Sequence, residues 1–327
     1  MALAGQGKTK GMVAQLAIAS TCNQSMAAII PNARLAPRFL FWWLDCNYEN
    51  IRNLAGGDLR DGLNLELIGS IRCPLPSMSE QDIIAAFLDR ETAKIDELIE
   101  KKQQLIELLR EKCRVAVHRA VTKGLDFTTP MKPSGIDWLG DVPCHWQLKR
   151  LKFAVTFQRG HDLPASERVE GDVPVVSSAG PSSYHDKAAA RGPGIVTGRY
   201  GTIGTFYLVD GDYWPLNTTL YSIDLHGNQP RFLWYMLHIL SDVFVVNSAK
   251  SAVPGVDRND LHEVLIAIPP NDEQSEISRH LDGELHGFEQ LSSHVDAALN
   301  RLREYRSTLI SAAVTGQIDV RHDREEA

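Results

Sequence analysis

Apolar residues recur at helical spacing in two long stretches of the chain. The first stretch, from Ser79 to Lys123, contains neither proline nor glycine. Its apolar positions are Leu88, Ile95, Leu98, Leu105 and Leu109. The second stretch repeats every seven residues at Leu281, Phe288, Val295, Leu302 and Leu309, with a second set at Leu291, Ala298, Tyr305 and Ala312. This spacing predicts two helices of about 45 residues each, about 67 Å long.

Residues with capping side chains or backbone freedom flank both stretches. Ser79 and Asp272 are the predicted N-caps, because their side-chain oxygens can accept hydrogen bonds from unpaired backbone amides. Gly124 and Gly316 are the predicted C-terminal stops.

A seam this long would be insoluble on a single exposed helix, so the pattern favours pairing of the two helices as a coiled coil. The connection between them contains a whole domain, which allows an antiparallel arrangement. The alternative is two long helices that each pack only on their own globular domain.

The segment between the two helices alternates short β-rich runs with turn residues. Strands are predicted at 173–176, 194–197, 205–209, 219–223 and 263–268. A helix is predicted over 229–246, where apolar residues from Phe232 to Leu240 have helical spacing. The fold class is therefore α+β, with mixed α/β domains separated by the two long helices.

The chain also contains a long internal repeat. Three segments recur 193 residues later: Pro37-Arg38-Phe39-Leu40 as Pro230-Arg231-Phe232-Leu233, Glu80-Gln81 as Glu273-Gln274, and Ala120-Val121-Thr122 as Ala313-Val314-Thr315. The second copy opens near Trp138, whose counterpart would lie about 55 residues before Met1. The sequence therefore predicts an N-terminally shortened form of a two-copy protein.

Composition narrows the classes of function. Hydrophobic residues at 43% and charged residues at 23% exclude wholesale disorder. A net charge of −7 argues against binding nucleic acid by bulk electrostatics alone. The start of the chain does not read as a signal peptide and no long uncharged apolar run occurs, so we expect a cytoplasmic protein with no membrane partner. The five scattered cysteines predict neither a disulfide framework nor a metal site.

The polar loops in the segment between the helices are the candidate binding site. The eleven histidines are dispersed and no catalytic set can be nominated by spacing. Short polar side chains and cations beside turns suit phosphate and base-edge contacts. Residues 138–270 nevertheless hold 11 Lys and Arg against 13 Asp and Glu, which is also what a solvated surface would show.

Together these features are similar to the specificity subunit of Type I restriction-modification enzymes. The motifs that carry the resemblance are Pro76-Ser77-Met78-Ser79-Glu80-Gln81, the run from Phe87 to Asp96, Ala120-Val121-Thr122-Lys123-Gly124-Leu125, and Trp138-Leu139-Gly140-Asp141-Val142-Pro143-Cys144-His145-Trp146. The resemblance covers essentially the whole chain.

The resemblance implies a domain plan in which two target-recognition domains each read half of a split DNA site and paired helices set their spacing. The implied parts are a remnant of the first recognition domain at 1–76, the first long helix at 77–125, a linker at 126–143, the second recognition domain at 144–270, the second long helix at 271–316 and a flexible tail at 317–327.

The resemblance also implies partners and contact residues. The subunit itself has no catalytic centre and no cofactor. Its expected partners are double-stranded DNA, modification subunits that carry S-adenosylmethionine, and restriction subunits that use ATP and Mg, with self-association of shortened chains also open. By analogy, the expected DNA contacts are Ser177, Ser178, Tyr184, Arg199, Tyr200, Asn217, Lys250 and Ser251.

Two other classes of function stay open at this point. One is a degenerate or regulatory adaptor that binds modification subunits without reading DNA. The other is a free-standing enzyme, which would need a catalytic constellation that the sequence does not offer.

Overall fold

The computed structural model describes residues 1–4, 9–54, 62–199, 204–241 and 258–321. The chain forms two compact units. The first unit comprises Met1–Ile106 with Ser292–Ala327, and the second comprises Glu107–Leu291.

The helices of the described chain include two that are several times longer than the rest. They are α1 Pro37–Cys46, α2 Tyr48–Asn53, α3 Leu65–Gly69, α4 Met78–Lys123, α5 Pro230–Ile239, α6 Arg258–Glu263 and α7 Asn271–Val314. At 46 and 44 residues, α4 and α7 confirm the predicted lengths. Within the described ranges, none of the helices combines the length and apolar character that a membrane crossing requires.

The named strands lie in the second unit and form four small sheets. They are β1 Met131–Pro133, β2 Asp141–Pro143, β3 Gln147–Arg150, β4 Thr156–Arg159, β5 Val173–Ser177, β6 Gly180–His185, β7 Gly194–Gly198, β8 Phe206–Val209, β9 Trp214–Pro215, β10 Thr219–Asp224 and β11 Leu265–Ile268. The largest sheet has the order β4-β10-β7-β8, and a second has the order β6-β5-β9 with β5 and β9 parallel. Two pairs, β1-β2 and β11-β3, complete the set. The α+β class is confirmed.

The strand predictions at 173–176, 194–197, 205–209 and 219–223 are confirmed as β5, β7, β8 and β10. The predicted strand over 263–268 begins too early, because Glu263 is the last residue of α6 and β11 starts at Leu265. The helix predicted for 229–246 is found as α5 from Pro230 to Ile239, and residues 242–246 lie outside the described ranges.

Ordered structure also occurs in two segments expected to be connecting or terminal. Strands β1 and β2 pair within the expected linker, and Leu139 and Val142 are buried in the second unit's core. In the expected tail, Val320 is buried against the core of the first unit.

The predicted N-caps are each displaced. Ser77, not Ser79, caps α4: its backbone N–H donates to Glu80 Oε2 at 3.0 Å, and the Glu80 N–H donates to Ser77 Oγ at 3.4 Å. This reciprocal pair is a capping box. Helix α7 begins at Asn271, which places Asp272 inside the first turn.

The predicted C-terminal stops are confirmed by their backbone conformation. Gly124 has φ of 76° and Gly316 has φ of 72°. This left-handed region is one that side chains disfavour, so glycine ends both helices without strain.

The two long helices pair in opposite directions. In the first unit, Asp96 on α4 bonds Arg306 on α7, with Nε and Oδ1 2.9 Å apart. Ten residues further along α4, Ile106 packs in one cluster with Val295, which precedes Arg306 on α7. Residue numbers rise along one helix as they fall along the other, which confirms the predicted antiparallel pairing.

The predicted seam is wrong in detail. Leu98 and Leu105 are 48% and 39% exposed, and Leu291 and Tyr305 are exposed as well. Ile106, one position further along, is buried instead. A helix with 3.6 residues per turn drifts by about 20° per seven residues, so a strict heptad does not stay on the contact face.

Each unit contains the same joint between the start of a long helix and a short helix that begins Pro-Arg-Phe-Leu. In the first unit the joint is built on Gln81, whose side chain is fully buried. Its Oε1 accepts the Ala36 N–H at 2.7 Å, and its Nε2 donates to the carbonyls of Arg34 and Pro76, both at 2.9 Å.

The second unit repeats this joint with Gln274. Its Oε1 accepts the Gln229 N–H at 2.9 Å, and its Nε2 donates to Pro269 O and to Asn228 Oδ1, both at 2.9 Å. An ion pair two turns along each long helix repeats too, since Arg38 to Asp89 and Arg231 to Asp282 both measure 2.7 Å.

The end of the opposite long helix completes each core. The first unit's cluster joins Phe39 and Leu88 to Ala313 and Val314 at the end of α7. The second unit's cluster joins Phe232 and Leu281 to Ala120 and Val121 at the end of α4. The segments that repeat in the sequence therefore occupy equivalent places in the two cores.

A close backbone approach holds β4 against the turn between β9 and β10. A Cβ added at Gly160 would lie 2.2 Å from Leu216 O and 2.6 Å from Pro215 O. The neighbouring backbones are bonded, with Gly160 N–H donating to Thr219 O at 3.1 Å and His161 N–H donating to Pro215 O at 2.8 Å. Only glycine fits at this position.

We expect Gln81→Leu and Gln274→Leu each to lower the free energy of unfolding by about 2 kcal/mol or more, because leucine fills similar volume but leaves buried backbone groups unpaired. Urea denaturation followed by circular dichroism measures this. Gln103→Leu, at an exposed position of α4, is the control. An unchanged midpoint for both buried variants would contradict the role assigned to the joint.

We expect Gly160→Ala to destabilise the second unit by about 1–3 kcal/mol, because the methyl group must displace backbone. Gly211→Ala is the matched control, since its Cβ meets nothing within 4 Å. Differential scanning calorimetry compares the two melting temperatures. Equal shifts in the two variants would show that the close approach has no energetic consequence.

Candidate nucleic-acid interface

The predicted contact residues fall into three groups. Ser177, Ser178, Arg199 and Asn217 lie around one turn of the second unit. Tyr184 lies elsewhere on β6. Tyr200, Lys250 and Ser251 lie outside the described residues.

Backbone hydrogen bonds bring the first group together. The Leu216 N–H donates to Val176 O at 2.9 Å, which places the end of β5 beside the β9–β10 turn. The Arg199 N–H donates to Thr218 O at 2.9 Å, which places the end of β7 beside the same turn. We call this region, residues 159–162, 177–180, 199 and 215–218, the loop edge.

The loop edge also contains charged residues that the sequence analysis did not nominate. Arg159, at the end of β4, donates from Nε to Asn217 O at 3.3 Å. The Asn217 side-chain amide donates to Asp162 Oδ1. Arg159 and Asp162, from one short segment of the chain, therefore both contact Asn217. The sequence feature that could have identified these two residues is the charged run around a glycine, Arg159-Gly160-His161-Asp162.

His161 is a supporting residue of the edge. Its Nε2 lies 3.1 Å from the Tyr221 hydroxyl, and its ring packs edge-on against Trp214. Burial raises the pKa of Tyr221, so this hydroxyl stays protonated at neutral pH and can donate to the imidazole. These contacts are those of an ordinary packed residue.

The β5–β6 turn uses its own serine. The Ser177 hydroxyl donates to Gly180 O at 2.9 Å and accepts the Ala179 N–H at 3.2 Å. A Cβ on Gly180, whose φ is 99°, would lie 2.8 Å from the Tyr207 ring. The turn thus packs on β8, and some of its polar groups are hydrogen-bonded within the turn.

Tyr184 does not belong to the loop edge. It lies opposite Pro174 on strand β6, away from the β5–β6 turn, and is 63% exposed. The structure therefore brings Ser177, Ser178, Arg199 and Asn217 together and leaves Tyr184 apart.

The edge offers hydrogen-bond donors and acceptors at low charge density. Arg159 and Arg199 supply guanidinium groups, and Asp162 supplies a carboxylate that accepts from the Asn217 amide. Guanidinium and carboxamide groups are the side chains that match guanine and adenine edges in the major groove. Over the described ranges, no three His, Cys, Asp or Glu side chains are grouped so that they could hold a metal ion.

Comparison with known proteins places these observations in a family. The model of the family described as "Type I restriction modification DNA specificity domain" matches residues 3–108 and 143–285. The Type I restriction enzyme StySPI specificity subunit of Salmonella potsdam is 23% identical over 316 residues, 89% of this chain and 67% of that protein. The EcoDI specificity subunit of Escherichia coli is 22% identical over 331 residues, 89% of this chain and 72% of that protein.

Solved structures share the fold. A chain from work on complex assembly and conformational transition of the type I R-M system aligns with a TM-score of 0.72 at 17% identity, over 86% of this chain and 72% of that chain. The HsdS subunit from Thermoanaerobacter tengcongensis aligns with a TM-score of 0.52 at 19% identity, over 87% of this chain and 71% of its own. The resemblance indicated by the sequence motifs is confirmed. Because the family model matches most of the chain and both copies of the repeat, the chain belongs to the Type I restriction modification DNA specificity domain family.

Proposed function

We propose that this chain is the DNA sequence-specificity subunit of a Type I restriction-modification complex and reads one half-site with the loop edge of its second unit. The observation that carries the proposal is the gathering of Arg159, Arg199 and Asn217 around one turn, in a family described by DNA specificity. The shared turn lets several donors address neighbouring base pairs.

The side chains on the loop edge suit direct readout. An arginine can donate two hydrogen bonds to guanine O6 and N7, and an asparagine can pair with adenine N6 and N7. Serine hydroxyls and backbone amides suit phosphate contacts, which set position and not sequence.

The net negative charge of the chain supports the proposal that partner subunits supply part of the affinity for DNA. Neutralised phosphates supply most of the salt-dependent affinity of DNA-binding proteins. At a net charge of −7, this chain supplies little of that affinity beyond its loop edge. In the proposed complex, modification subunits add phosphate contacts and carry S-adenosylmethionine, while restriction subunits use ATP and Mg. Catalysis belongs to these partners, and the chain itself has no catalytic role.

The long helices offer a docking surface for the modification subunits as well as a spacer. Leu98 and Leu105 lie seven residues apart on α4 and expose 48% and 39% of their surface. These two leucines are the contact that we propose for the modification subunits.

Sequence-specific methylation tests the loop edge. We expect Arg199→Ala and Asn217→Ala, co-expressed with the modification subunits, to relax the methylated motif at one base pair each, since a base contact is worth about 1–3 kcal/mol. Single-molecule sequencing of N6-methyladenine in host DNA measures the motif. Arg191→Ala is the control, because it removes the same charge near the opposite end of β7.

The outcomes of this experiment separate the two candidate classes. A methylated motif that both variants leave unchanged would remove the loop edge from base readout. Co-purification of the modification subunits without any motif would favour an adaptor that does not read DNA.

Co-purification tests the docking surface. We expect Leu98→Lys combined with Leu105→Lys to abolish capture of the modification subunits while changing the free energy of unfolding by only about 0.5 kcal/mol, as is usual at exposed positions. Gln103→Lys, exposed on the same helix, is the control. Undiminished capture by the double variant would place the docking surface elsewhere.

A further inference from the structure

A groove of about 440 Å³ lies in the first unit, between the start of α4 and the chain that leaves α7. Apolar and polar groups contribute equally to its walls. The residues that matter here are Pro76, Glu80, Ile84, Val314, Thr315 and Ile318.

The internal repeat places the same surface in the second unit. The positions 193 residues from the groove residues Pro76, Glu80, Ile84, Val314 and Thr315 are Pro269, Glu273, Ile277, Val121 and Thr122. In the second unit the chain's own segment 138–146 packs on this surface, with Leu139, Val142 and Trp146 in the same core cluster as Val121 and Ile277.

Glu273 is the polar anchor of that segment. Its Oε1 accepts the Trp146 Nε1–H at 3.0 Å, and its Oε2 lies 2.8 Å from His145 Nε2. The Trp146 ring packs on the end of α4, where a Cβ on Gly124 would lie 3.5 Å from it. Only 1% of Trp146 is exposed.

The equivalent positions of the first unit differ from those of the second in their contacts and burial. The carboxylate of Glu80 accepts hydrogen bonds from Ser77 in its own first turn. Ile277 is fully buried, whereas Ile84 is half-buried. Ile318, at the rim of the groove, is 37% exposed.

We infer that this groove binds a polypeptide segment with the chemistry of residues 138–146, in which an indole packs on the end of α7 and donates its N–H to Glu80. The groove is lined by the Glu80 and Asp319 carboxylates and by the Arg321 guanidinium, which pairs with Asp319 at 2.6 Å. This leaves the Glu80 carboxylate as the acceptor for an indole N–H. The second unit of the same chain already contains this contact, between Trp146 and Glu273.

A synthetic peptide tests the inference in the intact chain. A fluorescein-labelled peptide with the sequence of residues 131–147 is titrated into the full-length protein, and fluorescence anisotropy reports binding. We expect saturable binding that weakens at least tenfold in Glu80→Ala and in Ile318→Arg. Asp82→Ala, an exposed acidic position on the same helix outside the groove, is expected to bind as the wild type does.

A peptide in which the residue equivalent to Trp146 is alanine is expected to bind at least tenfold more weakly. Circular dichroism melting curves confirm that each protein variant is folded, and the exposed Ile318→Arg keeps the test valid if Glu80→Ala loses its helix cap. Absence of saturable binding, or equal binding by all variants, would overturn the inference. So would loss of binding only in Glu273→Ala, which would mean exchange with the segment in the second unit. The assay contains no DNA, so its result is independent of the proposed function.

Discussion

Both units depend on a glutamine that caps a helix from a distant part of the chain. Helices α1 and α5 each begin with proline after a residue that supplies no side-chain cap, Ala36 or Gln229. The backbone amide at that point is buried at Ala36 and partly buried at Gln229, and a buried amide left unpaired costs about 1–3 kcal/mol. Gln81 and Gln274 satisfy it from the first turn of a long helix and tie their own amide groups to carbonyls nearby. The short helix and the long helix are thereby fixed as one piece.

The ion pairs two turns further along fix orientation more than they add stability. Asp89 accepts from Arg38 and also from the Trp42 indole, at 2.9 Å. The second unit keeps the arrangement with a tyrosine hydroxyl in place of the indole. Both pairs are about two-fifths exposed, and ion pairs with such exposure are worth about 0–1 kcal/mol. Aromatic groups of different shape donate to equivalent aspartates, so the preserved feature is the hydrogen bond to the carboxylate.

The sequence predicted what periodicity and repetition encode, and it missed what arises from contacts across the chain. The long helices and four strands followed from local patterns, whereas the length of the connection between the helices only allowed their antiparallel pairing. Strand β6 was missed because its Gly-Pro-Ser-Ser start is typical of a turn, although pairing with β5 makes it a strand. Arg159 and Asp162 were missed because only the close approach at Gly160 brings them to Asn217. The seam was misplaced at Leu98 because the heptad was extended without the drift of a straight helix.

Each core is completed by the end of a long helix from a distant part of the chain, and this separation affects the order of folding. Phe39 and Leu88 are synthesised early, yet their cluster is closed by Ala313 and Val314 at the end of α7. Contacts with such separation along the chain form late, because the entropy of closing a long loop must be overcome first. The apolar residues of the first unit are therefore exposed when they leave the ribosome. They can be buried only after nearly the whole chain has been synthesised. The core of the second unit needs only Ala120, Val121 and the start of α7, which are synthesised sooner. We therefore expect the second unit to fold before the first.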